Sequence, residues 1–302
     1  MIGARLMLDA AGAIRPFFRA QPYPISVYSL LSVMAWRNAD GFDVTYAVDG
    51  DLLVVASERC GERHLALPIG DRAPTPAELC AIAERAGVSE FWYVPESYLA
   101  EAGEAAVRAA FDVRVHPEWA EYVFLTEDLA ELKGKRLSPK RNLIRQFERS
   151  HVETGRAAAA PILPADVAEC VAFLGAWCEE RGCDHAEQQP LACERRAAET
   201  ALREMHELGA EGVLVRVDGR VVGFGIGYRV TDALGALHFE KAFASIKGLY
   251  QYLDRECARR LFSGRFERVT KESDMGLPGL AHAKQSYGPI EMIPCSSLSL
   301  RP

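Results

Sequence analysis

Three residues with reactive or charged side chains lie close together in an apolar run near residue 240. The run Leu234 to Ala242 is predicted as a β-strand, and it carries His238, Glu240 and Lys241. Residues two apart in a strand point to one face, so His238 and Glu240 should share a face, with Lys241 opposite unless a bulge intervenes. A buried strand rarely holds such groups without a use or a partner. We predict Glu240 as a catalytic base and His238 and Lys241 as substrate contacts; the alternative is a half-exposed strand with Glu240 paired to a lysine.

A second group of polar residues follows near the end of the chain. Glu272 and Asp274 end a predicted strand, and Lys284 and Tyr287 close the helix after it. Paired carboxylates suit the binding of an ammonium group, or its deprotonation before attack. We predict Asp274 as a catalytic residue, Glu272 as a substrate contact, and Lys284 or Tyr287 as the group that stabilises an oxyanion. The alternative is a solvated loop whose two carboxylates cap a helix near Gly276.

The segment between these groups contains part of a phosphate-binding loop. Acetyl-CoA-binding proteins cradle a pyrophosphate on a loop of the form Arg/Gln-x-x-Gly-x-Gly/Ala, whose backbone amides open the following helix. Here the segment is Ser245-Ile-Lys-Gly-Leu-Tyr250, so Gly248 keeps the central glycine while Ser245 and Tyr250 replace the basic and the small residue. We predict Lys247, Gly248 and Tyr250 as substrate contacts, and the two replacements weaken the case for CoA.

A basic segment lies in the middle of an acidic chain. The 302 residues carry a formal net charge of -7, which disfavours indiscriminate binding to nucleic acid. Residues 133–149 nevertheless carry seven Lys and Arg against one Glu, and such a patch can steer one anionic partner to one place. The segment is predicted to bind the acceptor arm of tRNA or another phosphate; the alternative is an exposed basic helix face. The residues predicted for this role are Lys140, Arg141, Asn142 and Arg145.

The cysteines and the apolar runs indicate a cytoplasmic protein. The eight cysteines include no Cys-x-x-Cys pair, and the cluster that most resembles a metal site is Cys178, Cys183, His185 and Cys193. Cys178 lies on an apolar helical stripe, which favours a core position over a zinc ligand. Residues 26–36 form the longest apolar run, which is too short to cross a bilayer, and the N-terminus lacks the order of a signal peptide. We therefore expect no metal and no tightly bound cofactor.

The elements that would hold these residues follow a similar order in both halves of the chain. In the second half, helices at about 166–180 and 191–208 precede a hairpin at Asp218-Gly219, a third strand, a helix at about 247–262, a strand and a short helix. The first half has a helix at about 26–37, a hairpin at Asp49-Gly50, further strands, and helices at about 76–86 and 95–110, with residues 121–125 as its closing strand.

An antiparallel start followed by crossover helices is the order of a GNAT acyltransferase. We therefore predict an α/β (α+β) fold of two tandem GNAT-like domains, each a mixed, mostly antiparallel sheet flanked by helices. The predicted domains are residues 1–132 and residues 133–302, with a junction at about 133–164 and the active site in the second domain.

Several segments of the second half resemble one known family. They are Lys140-Arg-Asn-Leu-Ile-Arg-Gln-Phe147, His238-Phe-Glu-Lys-Ala242, Ile246-Lys-Gly-Leu-Tyr-Gln251, Glu272-Ser-Asp-Met-Gly276 and Gly279-Leu-Ala-His-Ala-Lys-Gln-Ser-Tyr287. In order and spacing they resemble the C-terminal domain of phosphatidylglycerol lysyltransferases (DUF2156). The resemblance implies a relation to the Fem-type transferases, which take an aminoacyl group from charged tRNA. The sequence departs from the family at Thr270-Lys-Glu-Ser-Asp-Met-Gly276, usually Asn-Arg-Glu-Glu-Asp-Leu-Gly, and at Leu280-Ala-His-Ala-Lys284, usually Leu-Arg-Lys-Ala-Lys.

The sequence thus predicts an acyltransferase that moves an aminoacyl group from aminoacyl-tRNA to an amine or hydroxyl acceptor, such as a small molecule or a lipid headgroup. An aminoacyl ester is already activated, so alignment and a base, Glu240 or Asp274, would suffice. One alternative is an acetyl-CoA-dependent N-acyltransferase of the GNAT type, and another is a non-catalytic protein that binds a ligand in the same cleft.

Overall fold

The computed structural model describes residues 3–39, 42–59, 61–181 and 189–301, with the side chains of residues 59 and 189–193 excepted. Fourteen strands and eleven α-helices occur in these residues. The strands are β1 (Ala4–Arg5), β2 (Phe42–Asp49), β3 (Leu52–Arg59), β4 (Glu62–Leu65), β5 (Glu90–Pro95), β6 (Phe111–Val115), β7 (Glu121–Leu125), β8 (Ala157–Pro161), β9 (Glu211–Val217), β10 (Arg220–Arg229), β11 (Leu234–Ala242), β12 (Arg268–Ser273), β13 (Glu291–Ile293) and β14 (Cys295–Leu300). The helices are α1 (Ala11–Ile14), α2 (Leu30–Trp36), α3 (Pro76–Ala86), α4 (Glu96–Ala102), α5 (Glu104–Ala110), α6 (Thr126–Glu131), α7 (Ser138–Phe147), α8 (Val167–Arg181), α9 (Gln189–Leu208), α10 (Leu249–Cys257) and α11 (Pro278–Gln285).

The strands form two seven-stranded sheets with matching orders. The first sheet runs β1-β2-β3-β4-β5-β14-β6, and the second runs β8-β9-β10-β11-β12-β7-β13. Each sheet has a parallel pair at the same place, β4 with β5 and β11 with β12, and its other pairs are antiparallel. The predicted fold class is confirmed, since the chain is a mixed α/β protein with two mixed sheets flanked by helices.

The two halves of the chain exchange one strand. Strand β7 was predicted to close the first half, but it lies between β12 and β13 in the second sheet. Strand β14 occupies the matching place between β5 and β6 in the first sheet. Residue pattern marks β7 as a strand but does not specify its neighbours, which explains the wrong assignment. The division into residues 1–132 and 133–302 stays a prediction.

A continuous hydrophobic core joins the two halves. It contains buried side chains from the first sheet together with those of α8, α9 and β10. At its centre α2 packs against α9, and Arg37 makes a two-pronged ion pair with Glu204, with nitrogen–oxygen distances of 2.8 and 2.7 Å. A buried Arg and Glu must be paired in this way because either charge alone would be costly to bury.

Local sequence signals set several element boundaries as predicted. Helix α3 begins with a capping box between Thr75 and Glu78, and the turn Asp218-Gly219 has positive φ at both residues, as a tight hairpin requires. The segment 133–164 contains α7 and β8, and β8 pairs with β9 at the edge of the second sheet. Within the part of the chain that the structure describes, no helix is both long and apolar enough to cross a bilayer.

Candidate functional site

The second sheet opens between β11 and β12. Their parallel pairing ends at Ala236 and Thr270, although β12 continues to Ser273. Strand β11 has a bulge at this level, because Phe239 pairs with Ile226 and Leu237 pairs with Gly227, which leaves His238 without a cross-strand partner. Bulges redirect side chains and are common beside active sites.

The bulge directs His238 and Glu240 to different surroundings. The His238 side chain is 1% exposed, and its Nδ1 atom lies 2.9 Å from Glu272 Oε1. Its Nε2 atom lies 3.0 Å from the Oγ atom of Ser29, a residue of the first half. The Glu240 carboxylate instead contacts Lys271. The expectation that the two side chains lie together on one face of a regular strand is therefore wrong, and the bulge is the reason.

Glu240 belongs to a buried cluster of charges. The Lys271 ammonium lies 3.1 Å from Glu240 Oε2 and 2.6 Å from Asp254 Oδ2, and the ring of Tyr287 lies 5.0 Å from the same nitrogen. Burial raises the pKa of Glu240 to about 7, although the Lys271 ammonium opposes this change. Burial disfavours the charged ammonium, yet the Asp254 and Glu240 carboxylates keep the pKa of Lys271 above its usual value. Glu240 is thus paired with a permanent cation in the interior of the protein.

Tyr287 completes this cluster on the side of α7. Burial and then the Asp254 and Glu240 carboxylates raise its pKa well above the usual value of a tyrosine. The Nζ atom of Lys140 lies 4.3 Å from the centroid of its ring, and burial lowers the pKa of Lys140. The phenol therefore remains neutral and is covered by two lysines.

Lys284 holds the end of β12, which carries Glu272. Its ammonium donates to the backbone oxygens of Lys271, of Glu272 at 3.1 Å and of Ser273 at 2.6 Å. Burial lowers the pKa of Lys284 to about 8, and the Glu272 carboxylate opposes this change. Glu272 itself has a φ of +61°, a conformation that costs free energy in a residue with a side chain. The three donated hydrogen bonds hold the carbonyl groups around this strained residue.

Asp274 lies in the turn after the strand. Its Oδ2 accepts a hydrogen bond of 2.6 Å from the Tyr122 hydroxyl, and its Oδ1 accepts one of 2.8 Å from the Gly276 amide. One oxygen is thus bonded to β7 and the other to the backbone of the turn. The Glu272 side chain is 32% exposed, and its carboxylate, unlike that of Asp274, lies at the gap between β11 and β12.

Lys241 points away from the gap, toward α8 and α9. Its ammonium lies 2.6 Å from Glu194 Oε1 and 4.8 Å from the ring centroid of Trp177. The Trp177 indole donates in turn to the Tyr250 hydroxyl at 3.3 Å. Lys241 and Tyr250 were both predicted to contact substrate, and both instead contact Trp177, away from the gap.

Helix α7 covers the N-terminus of α10, where a pyrophosphate would bind. Gly248 stands before α10 with a φ of +83°, and a Cβ atom there would lie 2.2 Å from the carbonyl oxygen of Leu143. The Arg141 guanidinium turns inward to the carbonyl oxygens of Leu132 and Gly134. On α7, Asn142 and Arg145 are exposed. The packing of α7 accounts for the glycine at position 248 without any ligand.

A cleft of about 450 Å³ lies beside this contact. The end of α7 and the loop before α10 line it, and Arg149, His151 and Lys247 supply its basic side chains. The Nδ1 atom of His151 is buried without a hydrogen-bond partner. The Arg149 and Lys247 side chains can hold an anionic group. Ser150 and Ser245 also line the cleft, and the Ser245 hydroxyl donates to the Glu180 carboxylate.

No group of three or more metal-ligating side chains occurs among the described residues. Cys178 is buried in α8, as expected of a core residue. Cys183 and His185 lie outside the described residues, and so does the side chain of Cys193.

The family model for the C-terminal domain of phosphatidylglycerol lysyltransferase matches residues 22–298. The chain belongs to this family. The resemblance found in the sequence is thus confirmed, and it extends into the first half. A conserved protein of unknown function from Bacteroides thetaiotaomicron is 28% identical, with a TM-score of 0.88 over 100% of both chains. The C-terminal domain (DUF2156) of a lysylphosphatidylglycerol synthetase from Agrobacterium fabrum is 13% identical, with a TM-score of 0.65 over 97% of this chain and 92% of that one. No curated protein sequence matches the chain.

The first sheet has a corresponding gap between β4 and β5, and a side chain fills it. Tyr93 of β5 has a φ of +56° and lies two residues beyond the last parallel pair, Leu65 with Phe91, as Glu272 does in β12. The hydroxyl of Tyr28 donates to the Tyr93 oxygen at 3.0 Å and accepts from the Leu67 amide at 3.1 Å. Tyr28 is fully buried and fills this gap. In the second sheet the corresponding gap holds the partly exposed Glu272 carboxylate.

Sequence reasoning missed the residues that contact the site from other elements. Ser29 and Glu121 approach from the first half, and Asp254 approaches from α10. Glu121 accepts hydrogen bonds from Ser26 and Thr270, and burial raises its pKa to about 7. A serine before a helical stripe is an N-cap signal, but nothing in the pattern predicts which histidine its hydroxyl will reach.

Proposed function

We propose that this protein is an acyltransferase that moves an aminoacyl group from an aminoacyl-tRNA to an amine or hydroxyl acceptor, the headgroup of a lipid among them. The observation that carries the proposal is the partly exposed Glu272 carboxylate in the gap between β11 and β12, hydrogen-bonded to His238. Family membership supports a GNAT-like acyltransferase related to lysylphosphatidylglycerol synthase, and the lysyl transfer for which the family is named supports an aminoacyl group as the cargo.

Glu272 has the position of a general base. The acceptor's amine or hydroxyl loses its proton as it attacks the ester carbonyl of the donor, and a carboxylate beside the nucleophile accepts that proton. Glu240 is paired with Lys271, and Asp274 is occupied by Tyr122 and Gly276, so Glu272 fits this role better. A protonated acceptor amine would also be bound by the same carboxylate before attack.

The basic cleft is the proposed place for donor phosphates. Arg145 and Arg149 are exposed on and just after α7, and Arg149 and Lys247 both line the cleft. Helix α7 covers the N-terminal amides of α10. This packing favours a donor that is held by side chains and disfavours a CoA pyrophosphate that is held by the backbone of the loop. Nucleic-acid phosphates are commonly bound by arginine and lysine in this way.

A transfer assay tests the proposal. Protein would be mixed with a pool of tRNA charged with radiolabelled amino acids and with phosphatidylglycerol vesicles, and label would be followed into lipid and into small molecules. We expect transfer in wild type and a loss of about 100-fold or more in Glu272→Gln. Micromolar binding of acetyl-CoA together with no transfer from any charged tRNA would contradict the proposal.

Binding of tRNA gives an independent test. Arg145→Glu combined with Arg149→Glu should weaken tRNA binding by about tenfold or more at physiological salt, because each lost phosphate contact reduces counterion release. Arg108→Glu combined with Arg114→Glu is the matched control, since both arginines are exposed on the first half and the change in net charge is the same. Equal effects of both changes would show that the basic segment does not bind tRNA.

A further inference from the structure

Ser29 joins the first half of the chain to the gap in the second sheet. It precedes α2, where its side-chain oxygen accepts a hydrogen bond of 3.0 Å from the Ser32 amide. Capping a helix requires only that bond. The same oxygen also lies 3.0 Å from Nε2 of His238, which is a contact beyond the needs of the helix.

The backbone departs from regular strand geometry at His238 and at Glu272, which are hydrogen-bonded to each other. His238 occupies a bulge in β11, and Glu272 has a φ of +61° in β12. Regular strands would place these side chains differently, and such departures cost free energy and concentrate at functional sites. A buried histidine that only filled space would need neither departure.

The hydrogen bonds determine which nitrogen of His238 carries the proton. An ionised Glu272 only accepts, so Nδ1 of His238 must donate to it, and Nε2 then accepts from the Ser29 hydroxyl. When the imidazole takes up a second proton, Nε2 donates instead and the Ser29 oxygen accepts. Both ring nitrogens therefore remain hydrogen-bonded before and after a proton arrives.

We propose that Ser29, His238 and Glu272 form one hydrogen-bonded relay that orients the base, in which Glu272 contacts the substrate and accepts its proton. His238 and Ser29, the latter supplied by the first half, are positioning residues. The relay deepens the proposed function and rests on it for its reaction. The acceptor's N–H or O–H bond breaks while its nitrogen or oxygen bonds to the acyl carbon. The proton passes to the Glu272 oxygen that does not face His238, while the Nδ1–H group of His238 stays bonded to Oε1. It returns to the ribose oxygen that leaves when the ester C–O bond breaks.

Nitrogen-15 NMR of the histidine side chains tests the relay without any activity. His238→Gln identifies the His238 signal among the seven histidines. We expect a single Nδ1–H tautomer of His238 in wild type and a mixture of tautomers in Glu272→Gln. The Nε2 resonance should move downfield in Ser29→Gly and should keep its wild-type position in Ser29→Thr, which retains the hydroxyl. An Nε2–H tautomer in wild type, or an Nε2 resonance that Ser29→Gly leaves in place, would overturn the proposal.

Kinetics provides the second measurement. Ser29→Gly should lower kcat for aminoacyl transfer by about tenfold with KM unchanged, and Ser29→Thr should restore it. Thr75→Gly is the control for loss of a helix cap, because Thr75 caps α3 in the same manner far from any catalytic contact, and it should leave kcat unchanged. If wild type transfers no aminoacyl group, the proposed function fails and the tautomer measurement alone decides the relay.

Discussion

The contact between α7 and Gly248 provides a sharp test of the structure, because it fills the place of a CoA pyrophosphate. In Gly248→Ala the new Cβ would lie 2.2 Å from the Leu143 carbonyl oxygen and 3.2 Å from Phe147 Cβ. The first partner is backbone, so α7 must move. Such overpacking costs about 1–3 kcal/mol, and a φ of +83° costs an alanine about 1–2 kcal/mol more. The expected loss of unfolding free energy is therefore about 2–5 kcal/mol.

Gly264→Ala separates the two contributions. Gly264 has a φ of +74°, and a Cβ atom there would have no neighbour within 4 Å, so this variant bears only the backbone cost. Urea unfolding followed by circular dichroism would compare both variants with wild type at the same pH. We expect Gly248→Ala to be less stable than Gly264→Ala by about 1–3 kcal/mol. Equal stabilities would refute the packing of α7 on α10 and would restore Gly248 as evidence for a phosphate cradle.

Three further predictions concern the gap and the exchanged strands. Lys284→Met should lower the unfolding free energy by about 1–3 kcal/mol in urea titrations, because three carbonyl oxygens lose their donor; an unchanged midpoint would contradict this role. The Glu121 pKa, raised to about 7 from a usual 4.5, makes a contribution to stability that is complete below about pH 4.5 and lost as the pH rises through 7. Glu121→Gln should therefore flatten the fall of Tm between pH 5 and 8, and a wild-type slope in this variant would count against a buried, protonated Glu121. A fragment of residues 1–132 should remain unfolded by circular dichroism, since it has no β14 between β5 and β6, and addition of residues 133–302 should restore structure.

Periodicity and turn residues allowed much of the secondary structure to be predicted. The hairpin at Asp218-Gly219 and helix α3 have strong local signals, and both occur where they were expected. The predicted helix over residues 95–110 is instead two helices, because Gly103 adopts a positive φ between them. Strand β14 was not predicted, since its alternation of Ser and Leu is short and lies at the end of the chain.

The site depended on features that a pattern of residue types does not contain. The spacing of His238 and Glu240 predicted a shared face, and one extra residue in β11 separates them. The glycine at position 248 suggested a phosphate loop, whereas the structure places a helix against it. In both cases the residue types were a valid local signal, but the geometry of the folded strands and helices determined where the side chains lie.

The sequence by itself determined the family, the α/β class and the segments that carry the polar residues of the gap, because these depend on local order and spacing. The tertiary structure alone decided that β7 and β14 change places, that Tyr28 closes one gap, and that Ser29 reaches His238 in the other. Strand exchange and hydrogen bonds across the core join residues far apart in the chain. Their free energy depends on geometry that exists only after both halves have packed, so no local pattern encodes it.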